Sequence, residues 1–217
     1  MKLKNLFFVT ASLLLTAGCT SRTSSSLPGM ESSKENASSK ESTDGDASSW
    51  KGSDDTSASS KKSLIVYYSA TNHTKTVADT IASHIDAPTF QLTPVTPYTS
   101  ADLNYSSSNS RVSKEHNDPN RHTELVSTTS PDFATADYIF LGAPVWWGEL
   151  SWVINDFVFE NDFTGKTIIP FGTSASSSFS CTNLKALDGK GTWLSEKRFS
   201  SSVSSKDVIS WVDSLSL

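Results

Sequence analysis

The sequence predicts an α/β domain built on a doubly wound, five-stranded parallel sheet. Two observations predict it. Short runs made wholly of aliphatic, β-branched and aromatic residues recur between Ser63 and Leu217, as strands covered on both faces require. Between them lie stretches whose apolar residues fall three or four apart, the spacing of a helix with one buried face. Strands that alternate with helices make a parallel sheet with right-handed crossovers. The loops after each strand then gather along one edge, where ligands of open α/β sheets bind.

The elements follow in order. Leu64-Ile65-Val66-Tyr67-Tyr68 is the first strand, and Ser69 to Thr74 the loop after it. Val77, Ala78, Ile81, Ala82 and Ile85 mark the first helix face. Thr89 to Leu92 gives a short second strand. From Val95 to Ser130 the chain is polar and broken by prolines, with at most one short helix around Arg111 to His116. A loop of that length in a small domain is either functional or mobile. Tyr138 to Leu141 and Ile168 to Phe171 are the third and fourth strands. Leu150, Val153, Ile154, Phe157 and Val158 mark a helix between them. A weaker strand, Leu194 to Phe199, precedes a last helix through Val208, Ile209, Val212 and Leu215, capped by Ser204 with Asp207 three residues on.

Composition sets the boundaries. Of 217 residues 42 are serine, and 15 of these fall within residues 20–62. That window has too little apolar surface to offset the entropy of ordering its backbone, and reads as a disordered tether. Residues 63–217 suffice for one domain with a sizeable core. This domain carries 10 basic and 16 acidic side chains, a balance that repels a phosphate backbone, so no nucleic-acid partner is expected. The four histidines, His73, His84, His116 and His122, show no metal-ligand spacing, and no metal site is expected.

Residues 1–18 read as a signal peptide. Lys2 and Lys4 precede an apolar stretch from Leu6 to Leu15, too short to span a bilayer. Leu-Thr-Ala-Gly-Cys, ending at Cys19, resembles the lipobox of bacterial lipoproteins. That resemblance implies a diacylated Cys19 as the mature N-terminus, and two acyl chains suffice for stable anchoring. The protein is then expected on the extracytoplasmic face of the membrane. Residues 19–62 would hold the domain away from it, with a root-mean-square span of roughly 35 Å for a flexible coil. Cys181 is left without a disulfide partner and reads as a lone core thiol.

Three loops carry the chemistry. Ser69, Thr71 and Thr74 place hydroxyls between a strand and a helix N-terminus, a position that either caps the helix or cradles an anion. Pro144-Val145-Trp146-Trp147-Gly148-Glu149 follows the third strand. Its adjacent tryptophans either plug the core or offer a flat surface to an aromatic ligand. After the fourth strand, Thr173-Ser174-Ala175-Ser176-Ser177-Ser178-Phe179 either forms a plain surface loop or lets a planar ligand approach the backbone closely.

These three loops, with Pro-x-Trp-Trp-Gly after the third strand, resemble the flavodoxin family over essentially all of residues 63–217. The resemblance implies strand order 2-1-3-4-5 and flavin mononucleotide (FMN) as cofactor. It places Ser69, Thr71, Asn72, His73 and Thr74 on the phosphate loop, and Pro144, Trp146, Trp147 and Gly148 beside the flavin ring. Thr173, Ser174, Ala175, Ser178 and Phe179 fall on the second ring loop. Asn72 stands where the family commonly has glycine, and His73 where it has asparagine. At a position of positive φ asparagine is the best non-glycine residue. Ala175 and Ser176 replace glycines frequent in the subgroup. Tyr98, Asp102, Tyr105 and Arg111 resemble a stretch of the subgroup that either shapes a pocket over the flavin or pins the long loop.

The function implied is electron transfer, with no side chain acting as acid or base and a redox partner that is a protein or a quinone. Gly148 would let the Trp147–Gly148 peptide turn to offer an acceptor to the ring, and Glu149 would add negative charge beside it. Two alternatives stay open: an FMN-dependent NAD(P)H or quinone reductase, and a flavin-free binding or adhesion module on the same fold.

Overall fold

The structure, a computed structural model, describes residues 60–175 and 177–217. The expected signal segment, Cys19 and nearly all of the tether lie outside the described residues, as does Ser176.

Strand β1 (Ser63–Tyr67) pairs in parallel with β2 (Thr89–Gln91) on one side and β3 (Tyr138–Trp146) on the other. On its far side β3 pairs with β5 (Thr167–Thr173). The outer edge of β5 is taken by two short parallel pieces, β6 (Thr192–Trp193) and β7 (Lys197–Phe199). These together fill one position, so the sheet has the five-place order 2-1-3-4-5 with its last strand interrupted. The interruption has a local cause. Glu196 leaves the sheet to accept hydrogen bonds from the Cys181 N–H and the Lys185 ammonium at 3.3 and 3.0 Å.

Alternation along β1 separates two cores. Leu64, Val66 and Tyr68 face one layer, while Ile65 and Tyr67 face the other. Over the second layer pack α1 (His73–Ile85) and α5 (Ser205–Ser214), through Val77, Ala78, Ile81, Val208 and Val212. Ser204 caps α5 as expected, its hydroxyl accepting the Asp207 N–H at 3.2 Å. The first layer is covered by α3 (Asn155–Glu160), α4 (Thr182–Asp188) and the segment from Leu92 to Ser130, which holds α2 (Arg111–His116).

Two expectations need correction. Leu150 does not begin a helix: Glu149 and Leu150 form β4, antiparallel to the end of β3. Trp147 and Gly148, at φ 47° and 80°, are the two-residue turn between them, and a positive φ at both central positions suits the twist of a hairpin. A 3₁₀ turn over Trp152–Ile154 then leads into α3, and Val153, Ile154, Phe157 and Val158 are buried as expected. Helix α4 was not expected at all. Leu184 is its only buried residue, so it has no apolar stripe to see; its one signal is Gly189, which ends it at φ 67°.

Candidate functional site

The loops after β1, β3 and β5 meet at the C-terminal edge of the sheet, around a cleft of about 370 Å³. Thr71, His73, Tyr105, Pro144, Val145 and Thr173 to Ala175 line it, with Ser177 and Ser201. A larger hollow of about 510 Å³ lies at the other end of the strands, between Lys61, Asp86, Pro88 and Asp132.

The β1 loop is shaped by Asn72, which takes φ 65° just before α1. In α1 the Thr76 N–H reaches the Asn72 carbonyl at 2.9 Å, and the Lys75 N–H is accepted by the Ser69 hydroxyl at 3.2 Å. Ser69 therefore spends its side chain on capping. The N–H groups of His73 and Thr74, earlier in the same turn, have no carbonyl in the helix to reach. They stand at the positive end of the helix dipole, an arrangement that suits a phosphate. Thr74 is fully buried, and its hydroxyl lies 2.8 Å from that of Thr173, joining the phosphate-type loop to the end of β5.

The β3–β4 hairpin divides its two tryptophans. Trp146 is buried in the core, edge-on to Tyr68, Tyr98 and Trp152, and its ring does not line the cleft. Trp147 turns outward and is 43% exposed. Trp146 is thus the core plug; neither Trp147 nor Gly148 is among the residues lining the cleft, and the Trp147 indole packs instead on Tyr105 and His116. The Gly148 carbonyl accepts the Ser180 N–H at 2.9 Å, which ties the hairpin to the loop after β5. Glu149 is not a free charge beside the site. Arg121 pairs with it at 2.7 Å, and the Asn183 amide donates to it at 2.7 Å.

In the β5 loop, Ser174 donates to the Ser177 carbonyl at 2.6 Å, and its own N–H reaches the Phe199 carbonyl at 3.0 Å. Ser178 is exposed and not among the lining residues. Phe179 packs back onto the core against Gly172. A Cβ at Gly172 would meet the Phe179 ring at 2.7 Å, so this close approach requires glycine.

The long 95–130 segment combines the two roles the sequence left open for it. Glu115 on α2 accepts from Arg111 at 2.6 Å, from Tyr98 at 2.5 Å and from the Trp152 indole at 2.9 Å. Asp102 accepts from Thr99 at 2.7 Å. Tyr98, Asp102 and Arg111 therefore pin the segment. Tyr105 instead lines the cleft and lies 5.0 Å from the Trp147 ring; burial pushes its phenol up to about 12, against an opposing pull from Trp146. Val145 was concealed among the aromatic residues of its motif. Ser201 belongs to a serine-rich stretch with no local signal that it reaches the cleft. Cys181 is buried, and burial raises its thiol to about 12, so it is inert.

A phosphate-type loop, a slot flanked by apolar and small residues, and the Tyr105 ring thus open on one cleft, as a phosphorylated planar ligand requires. Among the described residues, no group of three His, Cys, Asp or Glu side chains gathers to hold a metal.

Residues 62–215 match the family model described as Flavodoxin. A protein described as a flavoprotein from Bacteroides eggerthii is 32% identical; the match covers 72% of this chain and 98% of that one, with a TM-score of 0.65. Another, from Bacteroides uniformis, is 33% identical over 70% of this chain and 98% of its own, at 0.66. The flavoprotein from Lactobacillus acidophilus solved in complex with FMN shares the fold at 22% identity, over 72% and 99% of the two chains, at 0.51. No curated protein matches the chain. On the strength of the family match and of the two Bacteroides relatives, the chain belongs to the flavodoxin family.

Proposed function

We propose that the cleft binds FMN and that the protein acts in electron transfer. One observation carries this: Thr71 and His73, at the start of α1, line the same cleft as Pro144 and Val145 of β3 and the Thr173 to Ala175 stretch that ends β5. The FMN complex of the Lactobacillus acidophilus flavoprotein supports the same ligand in this fold. The N–H groups of His73 and Thr74 and the Thr71 hydroxyl would hold the phosphate. Pro144, Val145 and Tyr105 would exclude water on one side of the ring, with Ser174 and Ala175 on the other. Bound flavin supplies the electron-accepting and electron-donating chemistry. The chain's own part is to hold the ring, shield it and set its electrostatics. The domain's excess of acidic side chains disfavours added negative charge in the cleft.

Asn72 bears on the flavin-free alternative. It adopts the left-handed conformation for which the family commonly uses glycine, so the changed residue leaves a usable loop. One observation favours a reductase as a second reading: Tyr105, from the long segment, lines the cleft. For location, the proposal is a lipid anchor at Cys19 on the extracytoplasmic face of the membrane, with a protein or a quinone as redox partner.

Titration of the full-length protein with FMN, followed by its visible spectrum, tests the main reading. Shifted bands and quenched flavin fluorescence are expected, and an unaltered free-flavin spectrum leaves the binding or adhesion module. Rapid bleaching by NAD(P)H with turnover on a quinone favours the reductase. Cys19→Ala should move the protein from the membrane to the soluble fraction.

A further inference from the structure

We propose that His116 is a positioning residue: stacked on Trp147, it fixes the indole that packs against Tyr105 at the edge of the cleft, and through that aromatic pair sets FMN affinity and the potential of the bound flavin. The proposal rests on the FMN reading above.

Trp147 is held in an unfavourable way. It has φ 47°, a backbone conformation L side chains avoid, and leaves much of a large indole in water. The His116 ring lies against it, centroids 4.2 Å apart and planes within 7°. Tyr105, a lining residue of the cleft, touches the same indole from the same long segment. Trp147 is therefore gripped by two rings of the 95–130 segment, and one of them reaches the site.

The support behind His116 is firm. Helix α2 is capped by Ser110, and Glu115, one residue before His116, is tied to Arg111, Tyr98 and the Trp152 indole. The imidazole consequently has little freedom to follow Trp147; Trp147 is placed by it.

The choice of histidine is the second observation. Its Nδ1 is buried with no hydrogen-bond partner among the described residues. A phenylalanine would give the same flat face without that cost. What imidazole adds is a polar ring against the indole π face, which alters the electrostatics that the indole presents to a neighbouring ring.

Two variants separate placement from electrostatics. In His116→Ala the stack is lost, and the FMN dissociation constant should rise about two- to tenfold. The emission of Trp147, isolated by difference against Trp147→Phe in each background and recorded without flavin, should shift to the red. His116→Phe should restore both affinity and emission while leaving the midpoint potential displaced from wild type. Unchanged emission and affinity in His116→Ala would overturn the proposal, as would a potential that is the same in all three proteins. Recovery in His116→Phe excludes general unfolding as the cause of the alanine phenotype. A wild-type protein that takes up no flavin defeats the FMN reading instead, and the flavin-free emission still decides whether His116 holds Trp147.

Discussion

The hydroxyls of Thr74 and Thr173 lie 2.8 Å apart in the protein interior, one at the start of α1 and the other at the end of β5. The two residues are 99 apart in sequence, and this contact fixes the spacing between the phosphate-type loop and the second ring loop. Thr74→Val keeps the shape but leaves the Thr173 hydroxyl buried without that partner. Such a group costs about 1–3 kcal/mol, whereas replacing both partners by apolar groups can be nearly neutral. Thr74→Val should therefore lower unfolding stability by more than the Thr74→Val/Thr173→Val pair does. Denaturant melts of the two singles and the double measure the coupling.

Asn72 occupies a left-handed position without a side-chain cap hydrogen bond. Asn72→Gly should thus preserve or raise stability and leave FMN affinity unchanged, because glycine adopts that conformation freely. Asn72→Ala should destabilise by about 1 kcal/mol, since alanine has neither glycine's freedom nor asparagine's tolerance. Paired thermal melts and flavin titrations check both. A stronger site in the alanine variant would contradict the conformational argument.

Asp162 illustrates a surface charge with a defined pH window. The Thr164 hydroxyl and then its N–H, with Lys190 adding less, pull the Asp162 carboxyl down to about 2 from 3.8. A carboxylate that holds its charge better in the folded state stabilises that state above its unfolded value. The contribution fades as pH falls through the folded value. The stability difference between wild type and Asp162→Asn should therefore be constant from pH 7 to pH 5 and shrink towards pH 2. Urea melts across that range measure it, and a difference that grows on acidification would reverse the assignment.

Most of the sheet was legible because its strands are buried on both faces, so every residue of runs such as Leu64–Tyr67 is apolar. The hairpin was not. Hairpin turns with two positive φ values usually announce themselves as Asn-Gly or Asp-Gly, and here tryptophan occupies the first position. Helix α4 was hidden for the opposite reason, having too little buried surface for a pattern. In the site, Thr71, His73, Pro144 and the Thr173 to Ala175 stretch could be found because each comes soon after a wholly apolar run, although β3 continues through Pro144 to Trp146 and β5 ends at Thr173. Tyr105 was only half legible: no periodicity says where residue 105 of a proline-broken loop returns to the sheet edge. The outward ring of Trp147 and the inward ring of Trp146 also needed the turn geometry, since alternation alone could not say which of two adjacent indoles is buried.

That same turn yields a test of redox control. Gly148 stands at φ 80°, and a Cβ there would meet nothing within 4 Å, so Gly148→Ala is opposed by backbone conformation and not by crowding. The Gly148 carbonyl is already engaged by the Ser180 N–H, which leaves the Trp147 carbonyl as the group the turn can present to a ligand. Alanine at 148 raises the left-handed conformation by about 1–2 kcal/mol and so biases this peptide away from its present orientation. If that carbonyl adjusts to the redox state of bound FMN, Gly148→Ala should change the separation between the two one-electron potentials by more than it changes affinity for oxidised flavin. Potentiometric titration beside a binding titration decides it. Equal potentials in the two proteins would mean that the peptide does not respond to the flavin.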